Sequence, residues 1–393
     1  MKPLAISSCT LTTALGAGRA TTLAALQAGR SGLAPARFMN LALKTWTGEV
    51  AGVDGVTLPA ALRGFDCRNN RLAWLGLRQD GFSDAVARAR TRWGAHRVAV
   101  FLGTSTSGLL HTELAYRRRE PSGALPADYD YAKTQNAHSL AAFTAQALGL
   151  QGPSWVVSTA CSSSAKVFGN AARLIAAGLI DAAVVGGVDT LCLTTLHGFN
   201  SLELLSPDIC RPWDAARDGL SLGEAAAFAL LERECDAPRG WLLGVGESND
   251  GHHMSTPHPE GAGAIAAMQA ALADASLSAA DIDYINLHGT ATPSNDASED
   301  RAVGRVFGNA IACSSTKGAT GHTLGAAGAV EAVIALLALQ HGFMPGGLNV
   351  LTRDPELRVN YLLQNRGGSV RHVLSNSFGF GGSNASLVFG AGR

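Results

Sequence analysis

The sequence predicts an α/β protein whose strands and helices stack in alternating layers. Short β-branched runs alternate with Ala/Leu-rich segments of helical period along the whole chain. The 46 glycines gather at the ends of these runs, where tight turns and close backbone approach are needed. Of the 393 residues, 47% are apolar and 16% charged, the composition of an extensively buried, oligomeric enzyme rather than a disordered protein.

In chain order, the candidate strands are "HRVAVFLGT" (96–104), "SWVVST" (154–159), "DAAVVGGVDT" (181–190), "AAAFALLER" (225–233), "IDYINLHGT" (282–290) and the run 373–390. Most are short β-rich or continuously apolar runs closed by glycine or threonine, while 225–233 closes on Arg233. Helical periodicity marks 135–148, 162–177, 260–275 and 326–341 as candidate helices. The charged, proline-containing stretch "CDAPRGWLLG" (235–244) is the best boundary, giving units 1–240 and 241–393. Each unit has a strand ending in a Gly/Thr turn ("FLGTSTSG", "NLHGTATP"), then a helix, then a Gly-rich turn into another helix. This pattern predicts an internal duplication.

The 31 basic and 31 acidic residues cancel, so nothing global points to nucleic acid or an anionic membrane. Seven scattered cysteines show neither disulfide nor zinc spacing, and this favours a reducing compartment. The opening "MKPLAISSCTLTTALGAG" lacks the features of a signal peptide. No stretch of about 20 apolar residues free of charge or glycine suggests a membrane span. These features predict a cytoplasmic protein.

Chemistry concentrates in "SWVVSTACSSSAKVFGNAARLIAAG" (154–178). A buried strand there gives way to a helix, which places Cys161 on the turn at the helix N-terminus. Unpaired amides and the positive end of the helix dipole favour a thiolate there. The small neighbours Ala160, Ser162 and Ser163 leave the sulfur approachable. That context alone fits a buried structural cysteine equally well. Two further segments shift the balance: "NLHGTATPSND" (286–296) carries His288 at a strand end. "SSTKGATGHTLGAAGAVEA" (314–332) carries Lys317 and His322 in a small-residue loop, with Glu331 on the following helix.

With these residues in view, the chain resembles a β-ketoacyl-acyl carrier protein synthase of the elongating Cys–His–His type. The resemblance runs nearly end to end through "TALGAGRATTLAALQAGRSGL" (13–33), "TACSSS" (159–164), "RPWDAARDGLSLGEAAA" (211–227), "HGTATPSND" (288–296), "STKGATGHTLGAAGAVEA" (315–332) and "NSFGFGGSNASLVFG" (376–390). It implies the thiolase fold, duplicated βαβαβαββ halves packed as five layers α-β-α-β-α. It also implies a 3-oxoacyl-[acyl-carrier-protein] synthase: an acyl group on Cys161 undergoes decarboxylative Claisen condensation with a malonyl thioester and gains two carbons. His288 and His322 would stabilise the enolate, and the backbone amides of Cys161 and Phe380 the tetrahedral oxyanion. Lys317 and Glu331 would hold the loop and fix the electrostatics around His322. No metal or organic cofactor is implied, because the substrates ride on the phosphopantetheine of the carrier protein.

Thr290 and Thr292 match hydroxyls that bind the phosphopantetheine arm, although turn residues bonding their own backbone read the same way. Phe378 and Phe380 fit core aromatics or, for Phe380, a gate to the acyl pocket. Thr106 in "GTSTSG" falls where relatives limit the depth of that pocket. Carrier protein is acidic, so docking needs a local basic face. Arg63, Arg68 and Arg71 fall where relatives place one, and Arg117, Arg118 and Arg119 form another basic run; either run also fits plain solvated surface.

The resemblance implies a homodimer, or a heterodimer with a chain-length-factor-like paralogue, in which "SWVVST" pairs across the twofold. In the expected dimer 136–150 packs close to that strand. Departures from the family pattern are "GEAAA" (223–227), Asp189 where many relatives have Glu, and a somewhat short chain. They leave open housekeeping fatty acid synthesis or a specialised polyene-type pathway. Three rivals fit worse. A non-catalytic chain-length partner typically lacks the nucleophile. A degradative thiolase needs a second cysteine where "SFGFGG" stands. A Cys–His hydrolase leaves "KGATGHTLGAAG" unexplained.

Overall fold

A computed structural model describes residues 1–40 and 42–392. Its ten principal strands form two sets of five. The first is β1 (Leu4–Thr13), β2 (Val98–Gly103), β3 (Ser154–Val157), β4 (Ala182–Asp189) and β5 (Ala225–Glu232). The second is β6 (Gly240–Asn249), β7 (Tyr284–Asn286), β8 (Ala312–Ser314), β9 (His372–Gly379) and β10 (Ser383–Ala391). Both have the same order, β3-β2-β4-β5-β1 and β8-β7-β9-β10-β6. In each, the first three strands run parallel and the last two pair antiparallel. This is the duplicated arrangement that the paired Gly/Thr turns suggested. We propose 1–240 and 241–393 as the two units, on the ground that β6 opens the second set. The sheets join at one seam, where Leu4, Ala5 and Ile6 lie opposite Leu242, Trp241 and Gly240.

Parallel strands require crossovers, and helices supply them. Helices α1 (Arg68–Leu77), α2 (Phe82–Trp93) and α3 (His138–Leu148) cover the outer face of the first sheet. Helix α4 (Ser163–Ala176) lies between the sheets, while α5 (Ala262–Ala275) and α6 (Pro293–Phe307) cover the outer face of the second. Helix α7 (Ala327–His341) joins α4 in the central layer. Alternation along the strands builds these layers. Val98, Val100 and Leu102 face the outer core, whereas Ala99 and Phe101 face the central one. In the second sheet Tyr284 faces inward and Ile285 outward. The result is the five-layered thiolase fold.

Enclosed by both sheets, α7 is apolar all round apart from Glu331 and its last residues. The stretch Leu324–His341 is apolar enough to cross a membrane, but 89% of it is enclosed in the protein. It is a core helix. The four expected helices appear within three residues of their expected ends. The run 373–390 is a hairpin, turned where Gly381 and Gly382 adopt φ of 77° and 71°. Strand β3 closes one end of the sheet, and its four residues are only half-buried.

Two glycines let the start of α4 lie directly on the first sheet. A Cβ on Gly103 would sit 2.3 Å from Ser164 N, and one on Gly187 would sit 2.6 Å from Ser164 Cβ. Backbone at that distance cannot give way without moving the helix that follows Cys161. Gly103→Ala should therefore destabilise the fold by about 3 kcal/mol, read as a lowered urea midpoint with unchanged slope.

Candidate active site

Cys161 stands on a sharp turn between β3 and α4. Ala160, immediately before it, has φ of 52°, a left-handed conformation that costs about 1–2 kcal/mol in a residue with a Cβ. The three serines after Cys161 hold this turn together. Ser162 Oγ donates to Thr159 O at 2.9 Å, and Ser163 Oγ donates to Ala160 O at 2.5 Å. Ser164 Oγ accepts from Ala329 N at 2.9 Å and so ties α4 to α7.

The two histidines arrive on loops from the second sheet. His288 follows β7, and the N–H groups of His288 and Gly289 donate to Glu299 on α6 at 2.8 and 2.7 Å. His322 lies between β8 and α7. Its backbone is bracketed by Ser221 O, which accepts from His322 N at 2.7 Å, and Gly223 N, which donates to His322 O at 3.0 Å. Gly223 is needed there because a Cβ would lie 2.3 Å from Thr320 O. This accounts for "SLG" within the 211–227 motif.

The loops bring Cys161, His288 and His322 together. One donor atom from each lies within 4.8 Å of the others, and all three residues are buried. His322 Nε2 is 3.0 Å from Cys161 Sγ. The two imidazoles meet edge to face with centroids 5.4 Å apart. Lys317 forms a buried ion pair with Glu331 and donates to His288 O. Its Nζ lies 3.4 Å from His288 Nδ1. An ammonium can only donate there, so Nδ1 is the acceptor and the ring proton sits on Nε2. A protonated Nε2 suits an oxyanion and cannot ligate a metal. Lys317 thus touches His288 directly, while its charge also bears on His322.

Burial holds both imidazoles well below their usual range, and the Lys317 charge adds to the effect. They are neutral at physiological pH. Burial also pushes the Cys161 thiol up to about 11; Lys317 and the Phe380 N–H offset only part of that. The resting sulfur is thus a thiol beside a neutral acceptor, not the thiolate that its place at a helix N-terminus suggested. The thiol donates to His322 Nε2, which leaves that ring's proton on Nδ1, and among the described residues Nδ1 is buried without a partner.

A narrow cavity of about 50 Å³ leads to the three residues. Thr290, Thr292, Ser294 and Asn295 line one side, and Phe199, Leu204, Leu220 and Phe380 another. Thr290 and Thr292 share a 3.0 Å hydroxyl contact. Phe378 packs 5.9 Å from the His288 ring, and Phe380 lies 5.5 Å from Phe199. A Cβ on Gly379 would lie 2.8 Å from Thr159 O, so the Phe380 backbone passes directly over the Cys161 turn.

Other expected residues lie elsewhere. Thr106 is not among the residues lining the cavity; its hydroxyl and N–H both donate to Asp189, at 2.6 and 2.8 Å. Arg68 is largely buried, clamped on Glu224 at 2.7 and 2.8 Å and paired with Asp54, so it is structural and not a docking residue. Arg71 is forked onto Asp66 at 2.6 and 2.8 Å, and its charge is already answered. Arg63 is exposed, as are Arg117, Arg118 and Arg119, with Arg118 paired to Asp128. Glu299 escaped the sequence reading because nothing in "SEDRAVG" sets a buried carboxylate apart from a solvated helix face. Only its contact with the His288 backbone reveals it.

Fold and site together define a condensing acyltransferase. Residues 70–237 match the "Beta-ketoacyl synthase, N-terminal domain" and 239–351 the "Beta-ketoacyl synthase, C-terminal domain". The chain is 35% identical over 314 residues to 3-oxoacyl-[acyl-carrier-protein] synthase 2 of Vibrio cholerae, covering 75% of this chain and 76% of that one. Over 262 residues it is 42% identical to the mitochondrial 3-oxoacyl-[acyl-carrier-protein] synthase of Arabidopsis thaliana, covering 61% of this chain and 57% of that one. Among solved structures, a ketosynthase (ApeO) in complex with its chain length factor (ApeC) from Xenorhabdus doucetiae superposes with a TM-score of 0.90. It shares 39% identity over 99% of this chain and 98% of its own. The chain belongs to the β-ketoacyl synthase family.

Burial pushes Glu299 up to about 7, although His288 N, Gly289 N and Asn376 all donate to it. A carboxyl raised in the folded state contributes stability below its ordinary 4.5 and loses it as pH rises through about 7. Between those pH values the wild type should lose about 2 kcal/mol more unfolding free energy than Glu299→Gln, as measured by urea denaturation across the range.

Proposed function

We propose that the protein is a 3-oxoacyl-[acyl-carrier-protein] synthase in which Cys161 carries the growing acyl chain and His288 and His322 promote decarboxylation. The 3.0 Å approach of His322 Nε2 to Cys161 Sγ, with protonated His288 Nε2 beside it, carries this reading. In the first half-reaction Sγ attacks the acyl thioester while its proton passes to His322 Nε2. The Cys161 and Phe380 amides receive the oxyanion. Collapse expels the phosphopantetheine thiolate, which takes the proton back from His322.

In the second half-reaction the carbonyl oxygen of a malonyl thioester faces the two imidazoles. The C–C bond to the carboxylate breaks, CO₂ leaves, and the electron pair becomes an enolate held by the imidazole N–H groups. The enolate carbon then attacks the acyl-Cys161 carbonyl and expels the Cys161 thiolate, which is reprotonated from solvent. Once Cys161 is acylated its thiol no longer donates to His322 Nε2, so the ring proton is free to move there and donate to the enolate. Thr290 and Thr292 line the route that the phosphopantetheine arm would take. The chemistry needs no separate cofactor.

The acidic carrier protein is the proposed partner, with Arg63, Arg117 and Arg119 as the exposed cations for docking. The half-buried edge strand β3 supports pairing with a second chain. The 39% identity to a ketosynthase solved with its chain length factor favours a heterodimer with a paralogous, chain-length-setting subunit in a specialised pathway. All seven cysteines are free, which supports a cytoplasmic location.

Cys161→Ala should form no acyl-enzyme from a radiolabelled acyl carrier protein. Cys161→Gln should still release CO₂ from malonyl carrier protein, and adding His288→Ala should slow that release about a hundredfold. Acyl transfer at the wild-type rate in Cys161→Ala would end the nucleophile assignment. Mass spectrometry of the trapped acyl-enzyme from the host would identify its substrate.

A further inference from the structure

Asp189 ends β4 as a fully buried carboxylate with no cationic partner among the described residues. Its cradle consists wholly of donors. Thr104 Oγ1 donates at 2.7 Å, Ser105 N at 2.9 and 3.0 Å, and Thr106 N and Oγ1 at 2.8 and 2.6 Å. Such a cradle is built for an ionised group, whose isolated burial is otherwise very costly. A turn that needed only closing would be served by a neutral acceptor.

The turn that Asp189 organises touches both loops of the reactive pair. Ser105 Oγ donates to Ala160 O at 3.4 Å, on the strained residue preceding Cys161. On the other side lies Gly325, three residues beyond His322. A Cβ there would fall 2.8 Å from both Asp189 Oδ2 and Ser105 Oγ. The 104–107 turn is thus wedged between the Cys161 elbow and the His322 loop, and Asp189 fixes its shape. Asp189 does not line the cavity, so it acts only through these neighbours.

We infer that Asp189 is a positioning residue for the condensation, setting how closely the Cys161 turn approaches the His322 loop. The inference rests on Cys161 being the nucleophile. The negative charge also opposes ionisation of Cys161, whose other charged or titratable neighbours are His322, His288, Lys317 and Glu331.

The experiment compares wild type, Asp189→Asn, Asp189→Ala, Thr104→Val and Thr104→Ser. Acyl transfer from acyl carrier protein is measured beside iodoacetamide alkylation of Cys161 across pH, with peptide mapping and melting temperature for each protein. Asp189→Ala, which removes the acceptor that shapes the 104–107 turn, should lose at least tenfold in acyl transfer per folded molecule. Asp189→Asn keeps one acceptor oxygen but loses the charge, so its alkylation midpoint should move to lower pH. Thr104→Val, which removes one donor at constant shape, should slow acyl transfer severalfold, and Thr104→Ser should restore it. The Thr104 pair carries the test if an Asp189 variant does not fold.

Wild-type acyl transfer in Asp189→Ala and Thr104→Val, with an unmoved midpoint in Asp189→Asn, would overturn the inference. So would losses that merely track the fraction folded. A Cys161→Ala protein that still became acylated would instead overturn the nucleophile assignment, so the two failures are distinguishable.

Discussion

The buried ammonium of Lys317 is the constraint around which the site is arranged. It is enclosed beneath the cavity, paired with Glu331 and set against His288. A cation there disfavours a second positive charge, which together with desolvation keeps both imidazoles neutral. It also dictates which nitrogen of His288 carries the proton. Three atoms that would otherwise make a plausible metal site become a cradle for negative charge. Removing water from around Lys317 is expensive, and Glu331 and the His288 carbonyl offset that cost.

The duplicated fold explains how such residues meet. Cys161 follows β3 and His322 follows β8, the third strand of each set, and each precedes a helix of the central layer. The 104–107 and 288–292 turns follow the second strand of each set. The site therefore forms where equivalent turns of two related halves face each other across α4 and α7. Glycines at 103, 187, 223 and 325 are placed where these turns and helices come closer than a Cβ allows.

Much of this was legible in the sequence because the signals are local. A β-branched run, a small-residue turn and an amphipathic helix announce the Cys161 elbow, and the Gly/Thr turns announce the duplication. Strand β1 is hidden in the sequence because "LAISSCTLTT" carries Ser8, Thr10, Thr12 and Thr13, polar residues that are nonetheless buried in the sheet. Glu299 and Asp189 were illegible as working groups since their partners are backbone N–H groups brought by folding. Arg68 misled for the opposite reason. An arginine near a basic run looks like surface until Glu224, 156 residues away, closes on it. The thiol's ionisation misled because a helix terminus is visible in sequence while desolvation is not.

Strand β3 offers one unpaired edge, and its last residue, Val157, lies four positions before Cys161. A neighbouring chain that extended the sheet there would stiffen the same length of backbone that aims the sulfur. Quaternary assembly and nucleophile geometry would then be mechanically one event, and a protomer alone would hold its reactive turn on a strand tethered from one side only.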